Sequence, residues 1–99
     1  MIHVLAIITA KPGQRDAVLQ AFKANVPAVH AEGGCIEYQA VVDVDGADPA
    51  FGPDTFVVVE KWQNLAALKA HAAAPHMTAY AQRTRDLVAK RAVHVLSPA

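Results

Sequence analysis

A chain with one cysteine, Cys35, can form no internal disulfide and cannot build a thiolate zinc cluster. Charge of neither sign prevails: nine basic and nine acidic residues leave a formal net charge of zero, and no basic run appears. Nucleic acid and anionic membrane surfaces are therefore not expected as partners. Long apolar runs are missing too, so no membrane-spanning segment is expected. The first strand pattern starts at Ile2, which leaves no space for a signal peptide. These absences together point to a soluble cytoplasmic protein. Only six residues are aromatic, so the places where they gather carry information.

What the chain does have is apolar residues, 54% of its 99 positions, many of them Ala and Val. That excludes disorder and fits a single domain over residues 1–99, with a real core but little reserve. Ile2 to Ala10 alternates Ile2, Val4, Ala6 and Ile8 against His3, Leu5, Ile7 and Thr9, a strand apolar on both faces. After Lys11-Pro12-Gly13 the spacing of Val18, Phe22 and Val29 predicts a helix. Pro27 should kink it, or stop it before one more turn to Ala31. Gly33-Gly34 closes that helix.

Cys35 to Val44 reads as a second strand, Asp45 to Asp54 as a loop around Phe51, and Thr55 to Trp62 as a third strand. Asn64 is a suitable N-cap for a helix over Leu65 to Ala73, and Pro75 suits the start of the next. Met77, Tyr80, Ala81, Thr84, Leu87, Val88 and Arg91 extend that last helix as a stripe, and Ala92 to Leu96 returns as a strand. The order predicts an α+β, ferredoxin-like βαββαβ fold with an antiparallel four-stranded sheet and helices on one face. Strands apolar on both faces then leave the other sheet face uncovered. A homodimer, with two sheets closing a dimeric α/β barrel about a two-fold axis, is the expected way to bury it.

The segment from Glu60 to Tyr80 concentrates the groups that could handle protons or hold a flat ligand. It contains the only Trp, two His and a carboxylate on an apolar strand face. Glu60-x-Trp62, Leu65, Leu68, Ala70-His71, Pro75-His76-Met77 and Tyr80 resemble the signature of the antibiotic biosynthesis monooxygenase family. Lys11-Pro12-Gly13, Glu32-Gly33-Gly34-Cys35 with Tyr38, Val26-Pro27, Val42-Asp43 and Pro53-Asp54 extend the likeness over nearly the whole chain, toward the quinol-oxidising members. The resemblance implies a pocket between sheet and helices for a small aromatic or quinone-type ligand. It implies oxidation by dioxygen with no metal, flavin or other cofactor. The same fold also serves isomerases and could serve a non-catalytic module that binds aromatic ligands.

Within that frame His71 is the candidate general base, on the apolar face of a short helix. His76, at a helix start, offers a neutral donor or acceptor or else caps the helix in solvent. The two are not spaced as metal ligands on one helix face, and Pro75 lies between them. Glu60 either pairs with a Lys or Arg, or acts in catalysis by orienting His71 or taking a proton itself. Trp62, Tyr80, Met77, Tyr38 and Phe51 are candidate ligand walls that would otherwise serve as packing. Cys35 reads as a small structural residue.

Overall fold

Strand β1 (Ile2–Ala10) lies inside the sheet, as a strand apolar on both faces should. The computed structural model describes residues 1–99. Helix α1 (Arg15–His30), β2 (Cys35–Val41), β3 (Thr55–Trp62), α2 (Leu65–Ala72), α3 (Pro75–Thr84) and β4 (Val88–Leu96) follow β1 in that order. The four strands form one sheet in the order β2-β3-β1-β4, every pair antiparallel. This is the ferredoxin-like arrangement, with the second crossover helix split into α2 and α3.

Register assigns each side chain to a face. Val4 is opposite Glu60 and Val95, Ala6 opposite Val58 and Val93, and Ile8 opposite Phe56 and Arg91. Val4, Ala6, Ile8, Phe56, Val58 and Trp62 join Val18, Phe22 and Val29 of α1 in a single buried cluster. Leu68 of α2 and Met77 and Tyr80 of α3 pack against the same cluster, so all three helices cover one face. On the other face Leu5, Val41 and Leu96 remain exposed beside Ile7 and Val59. No helix is long and apolar enough to cross a membrane.

Two sequence expectations are corrected. The second strand ends at Val41, not Val44, because Asp43 turns to the loop: its carboxylate accepts from the backbone N–H of Phe51 at 3.0 Å and Gly52 at 2.8 Å. Helix α1, by contrast, continues through Pro27 to His30, which removes the stop and leaves a kink as the effect expected of that proline. The stripe extended to Arg91 is not one helix, since α3 ends at Thr84 and β4 starts at Val88. At that end the Thr84 hydroxyl donates to the carbonyl of Tyr80 at 2.9 Å, and Leu87 N–H turns back to Thr84 O. The outer edge of β1 needs partners along its whole length. It takes them from β4 as far as Ala10 opposite Val88, and Lys11 N–H then bonds Leu87 O at 2.8 Å. Helical spacing over Leu87, Val88 and Arg91 yields to that demand.

Candidate functional site

The turn Glu32-Gly33-Gly34 between α1 and β2 positions the site. Gly34 has φ +86°, and a Cβ there would stand 2.6 Å from the Cβ of Ala67, so α2 rests directly on this glycine. The carbonyl of Gly34 also accepts from Gln63 N–H at 2.8 Å, and Asn64 caps α2 through its Oδ1 to Ala67 N–H at 2.9 Å. Ala67 and His71 are four residues apart and share a helix face. Seating Ala67 on Gly34 therefore brings His71 over Glu32. The His71 Nδ1 lies 2.8 Å from Glu32 Oε2.

A carboxylate only accepts, so His71 Nδ1 carries the proton of this bond. In the neutral ring Nε2 is then left as the basic atom. That nitrogen makes no hydrogen bond within the protein and is not sealed from the cleft that His71 lines. The ring is 5% exposed and lies 4.6 Å, centroid to centroid, from Trp62 and 5.4 Å from Tyr38. Packing and the Glu32 bond together hold one tautomer in one orientation.

Glu32 also joins His76 to the site: His76 Nε2 is 3.5 Å from the same Oε2, buried and without a hydrogen bond. The other nitrogen of His76 lies 3.2 Å from Asn25 Nδ2, which is 3.4 Å from Met77 Sδ as well. Asn25 is buried on the inner face of α1, a polar group among Val18, Phe22 and Val29.

Glu60, 6% exposed, takes neither Lys nor Arg as its hydrogen-bond partner. Its Oε1 accepts from Trp62 Nε1–H at 2.9 Å. Burial raises the Glu60 pKa above its ordinary value, against the opposing pull of the Trp62 bond and of the positive charge available at His71 and Arg91. Burial likewise raises the hydroxyls of Tyr38 and Tyr80, so both stay protonated as donors.

A cleft of about 750 Å³ opens between the helix-side face of the sheet and α3. Val4, Ala6, Ile8 and Val58 form its floor, Tyr38, Tyr80 and Met77 stand along its sides, and Glu60 and His71 line it. It stays open because no helix covers the inner face of β4, where Val93 is 46% exposed. The size and apolar lining suit a small flat ligand. No three His, Cys, Asp or Glu side chains are grouped to hold a metal ion.

Of the residues singled out from sequence, His71, Glu60, Tyr38, Tyr80 and Met77 meet at the cleft. Trp62 is fully buried behind His71 and forms its backing, not the cleft wall. His76 joins the group only through Glu32 and Asn25. Phe51 lies elsewhere: it is 58% exposed and borders a shallow depression with Val41, Val42 and Phe56. Sequence reasoning gave no site role to Glu32, Asn25 or Phe22, which stacks on Tyr38 at 5.1 Å. Glu32 had a visible signal, as the acid of the Glu32-Gly33-Gly34-Cys35 motif; a lone Asn and Phe on a helix had none.

Comparison with known proteins places these features. The profile of a family described as antibiotic biosynthesis monooxygenase matches residues 1–83. The chain is 37% identical over 102 aligned positions to the "Probable quinol monooxygenase YgiN" of Escherichia coli K12, covering 99% of this chain and 98% of that one. The structure is similar to that of PA3566 from Pseudomonas aeruginosa, with TM-score 0.84, 26% identity and coverage of 99% and 93%. It is also similar to Rv0793 from Mycobacterium tuberculosis, with TM-score 0.82, 27% identity and coverage of 99% and 94%.

Proposed function

This chain belongs to the antibiotic biosynthesis monooxygenase family, and from that premise we propose that it is a cofactor-independent monooxygenase oxidising a quinol or related electron-rich aromatic with dioxygen. The observation that carries the reading is the Glu32–His71 pair at the cleft, with Nδ1 held at 2.8 Å and Nε2 free. The relative whose name specifies a quinol supports the substrate class.

The aromatic ring lies on the apolar floor with a phenolic oxygen toward His71. Nε2 takes the phenolic proton, and Glu32 stabilises the imidazolium that results. The phenolate passes one electron to dioxygen, and the radical and superoxide join at a ring carbon that bears hydrogen. The imidazolium of His71 returns its proton to the peroxide so formed, and the hydroperoxide loses water and leaves a ring carbonyl. A quinol and one dioxygen thus give a hydroxyquinone and one water, with one oxygen atom in each product. The protein's part is to remove the proton, hold the ring, and keep water from the reactive intermediate.

The working unit in this proposal is a homodimer. Leu5, Val41 and Leu96, exposed on the helix-free sheet face, give a second copy an apolar surface to cover.

The test is oxygen uptake by the purified protein supplied with reduced 2-methyl-1,4-naphthoquinol, measured against protein-free autoxidation, with labelled dioxygen to follow the oxygen atoms. We expect uptake above background and one labelled atom in the product. His71→Asn should lower the rate by roughly 10²- to 10⁴-fold while ligand affinity stays within about tenfold. Uptake no faster than autoxidation, or an unaffected His71→Asn variant, overturns the proposal.

A further inference from the structure

The charge of the cleft does not match the charge of the chain. The whole sequence is balanced, nine basic residues against nine acidic. The cleft lining has one acid, Glu60, against Arg85 and Arg91; Lys90, also at its rim, is opposite Thr9 and so belongs to the helix-free face. Glu60 sits at the His71 end, and the two cations lie on β4 and the turn before it.

Arg91 is the cation best placed to act inside. It is opposite Ile8 and so belongs to the helix-side face of the sheet. It has no carboxylate partner, since the ion pairs of the molecule are Lys61–Glu37, Glu32 with His71 and His76, and Arg85–Asp86. Its positive charge nevertheless reaches inward, where it counters the effect of burial on both Glu60 and Tyr80. Arg91 also lies beyond residue 83, where the match to the family profile ends.

The register sets the distance between the two ends. Glu60 pairs with Val4 and Arg91 with Ile8, two strand spacings apart across the sheet and four residues along it. Strand geometry puts their Cα atoms about 16 Å apart. Both residues line the cleft, Glu60 buried and Arg91 exposed at its mouth, and side chains turned toward each other would leave a gap suited to an aromatic of one or two rings carrying a polar group at each end. We infer that the cleft selects aromatic ligands bearing an acidic substituent, with the phenolic end at His71 and the acid, a carboxylate, on the guanidinium of Arg91. The inference rests on the reading of this cleft as the ligand site. Arginine suits the role because its planar fork binds a carboxylate through two parallel hydrogen bonds.

The experiment is calorimetric titration of the full chain with 6-hydroxy-2-naphthoate and with its methyl ester, near neutral pH, where the acid is ionised. Wild type, Arg91→Met and Arg91→Lys are compared, each first shown to unfold with a wild-type midpoint. We expect the acid to bind wild type roughly tenfold tighter than the ester, an advantage that shrinks with added salt. Arg91→Met should bring the two ligands within about twofold and Arg91→Lys should keep part of the difference, while ester affinity stays constant. Equal binding of acid and ester to wild type, no binding of either, or an acid preference that survives Arg91→Met overturns the inference. These readouts involve no oxygen chemistry. Acid preference without oxygen uptake keeps this inference and removes the monooxygenase reading; quinol oxidation with no acid preference does the reverse.

Discussion

Replacing Gly34 with Ala adds one methyl group at the point where α2 rests on the chain. The new Cβ would meet the Cβ of Ala67 at 2.6 Å, and the residue would have to keep φ +86°. Ordinary carbon contact begins near 3.5–4.0 Å, so the turn and α2 must separate by about 1 Å. The left-handed backbone costs about 1–2 kcal/mol for a residue with a Cβ, and overpacking costs a further 1–3 kcal/mol or so. The sum, about 2–5 kcal/mol, is a large share of the stability of a small domain.

The same movement carries Glu32 away from His71. A bond now 2.8 Å long, stretched by about that 1 Å, is no longer a hydrogen bond. Gly33→Ala is the matched control, because a Cβ there meets nothing within 4 Å and its φ is not in the left-handed region. Urea denaturation of both variants, with NMR observation of the His71 ring nitrogens, reads stability and site together. We expect Gly34→Ala to lose at least about 2 kcal/mol, or roughly 8–16 °C in Tm, along with the protected Nδ1–H. Gly33→Ala should keep both. If Gly34→Ala falls within about 0.5 kcal/mol of Gly33→Ala, a size usual for surface changes, the contact does not set the site and the reasoning fails.

Three further outcomes follow from the structure. Glu60 has its pKa raised by burial, so wild type has its full contribution below the ordinary value of 4.5 and loses it as pH rises through the higher folded value. Glu60→Gln, which can still accept from Trp62, should therefore gain in Tm relative to wild type between acid and neutral pH; a difference that is flat with pH contradicts this. Asn64→Ala removes the only side-chain cap of α2 and should cost about 1 kcal/mol by denaturant titration, with Asn64→Asp restoring most of it. Leu5→Glu places a charge on the helix-free sheet face and should shift sedimentation from dimer to monomer, while Leu65→Glu, also exposed but on α2, should not; identical behaviour of the two argues against that face as the interface.

Much of the fold was legible because its signals are local. Alternation over Ile2–Ala10 and Thr55–Trp62 marked the strands, and the same residues, apolar on both faces, became the two inner strands of the sheet. Asn64 and Pro75 marked helix starts because capping and a missing N–H act within one turn of the chain. His71 was legible as a candidate because an imidazole beside Leu68 on an apolar helix face needs a partner.

That partner was not legible. Glu32 lies 39 residues from His71, and only the seating of Ala67 on Gly34 makes them neighbours. The end of α3 was decided in the same non-local way, by the unpaired edge of β1 overriding helical spacing at Leu87, Val88 and Arg91. That exchange put Arg91 on a strand facing the cleft, and the Asp43 bonds to the loop backbone left Phe51 outside it. By itself the sequence determined the kind and order of the elements and the apolar faces of β1, α1 and β3, since these depend on residues within a few positions; it did not determine where α3 gives way to β4. Tertiary structure alone decided which polar groups meet, because a hydrogen bond between distant residues depends on how whole elements pack, and no period in the chain records that.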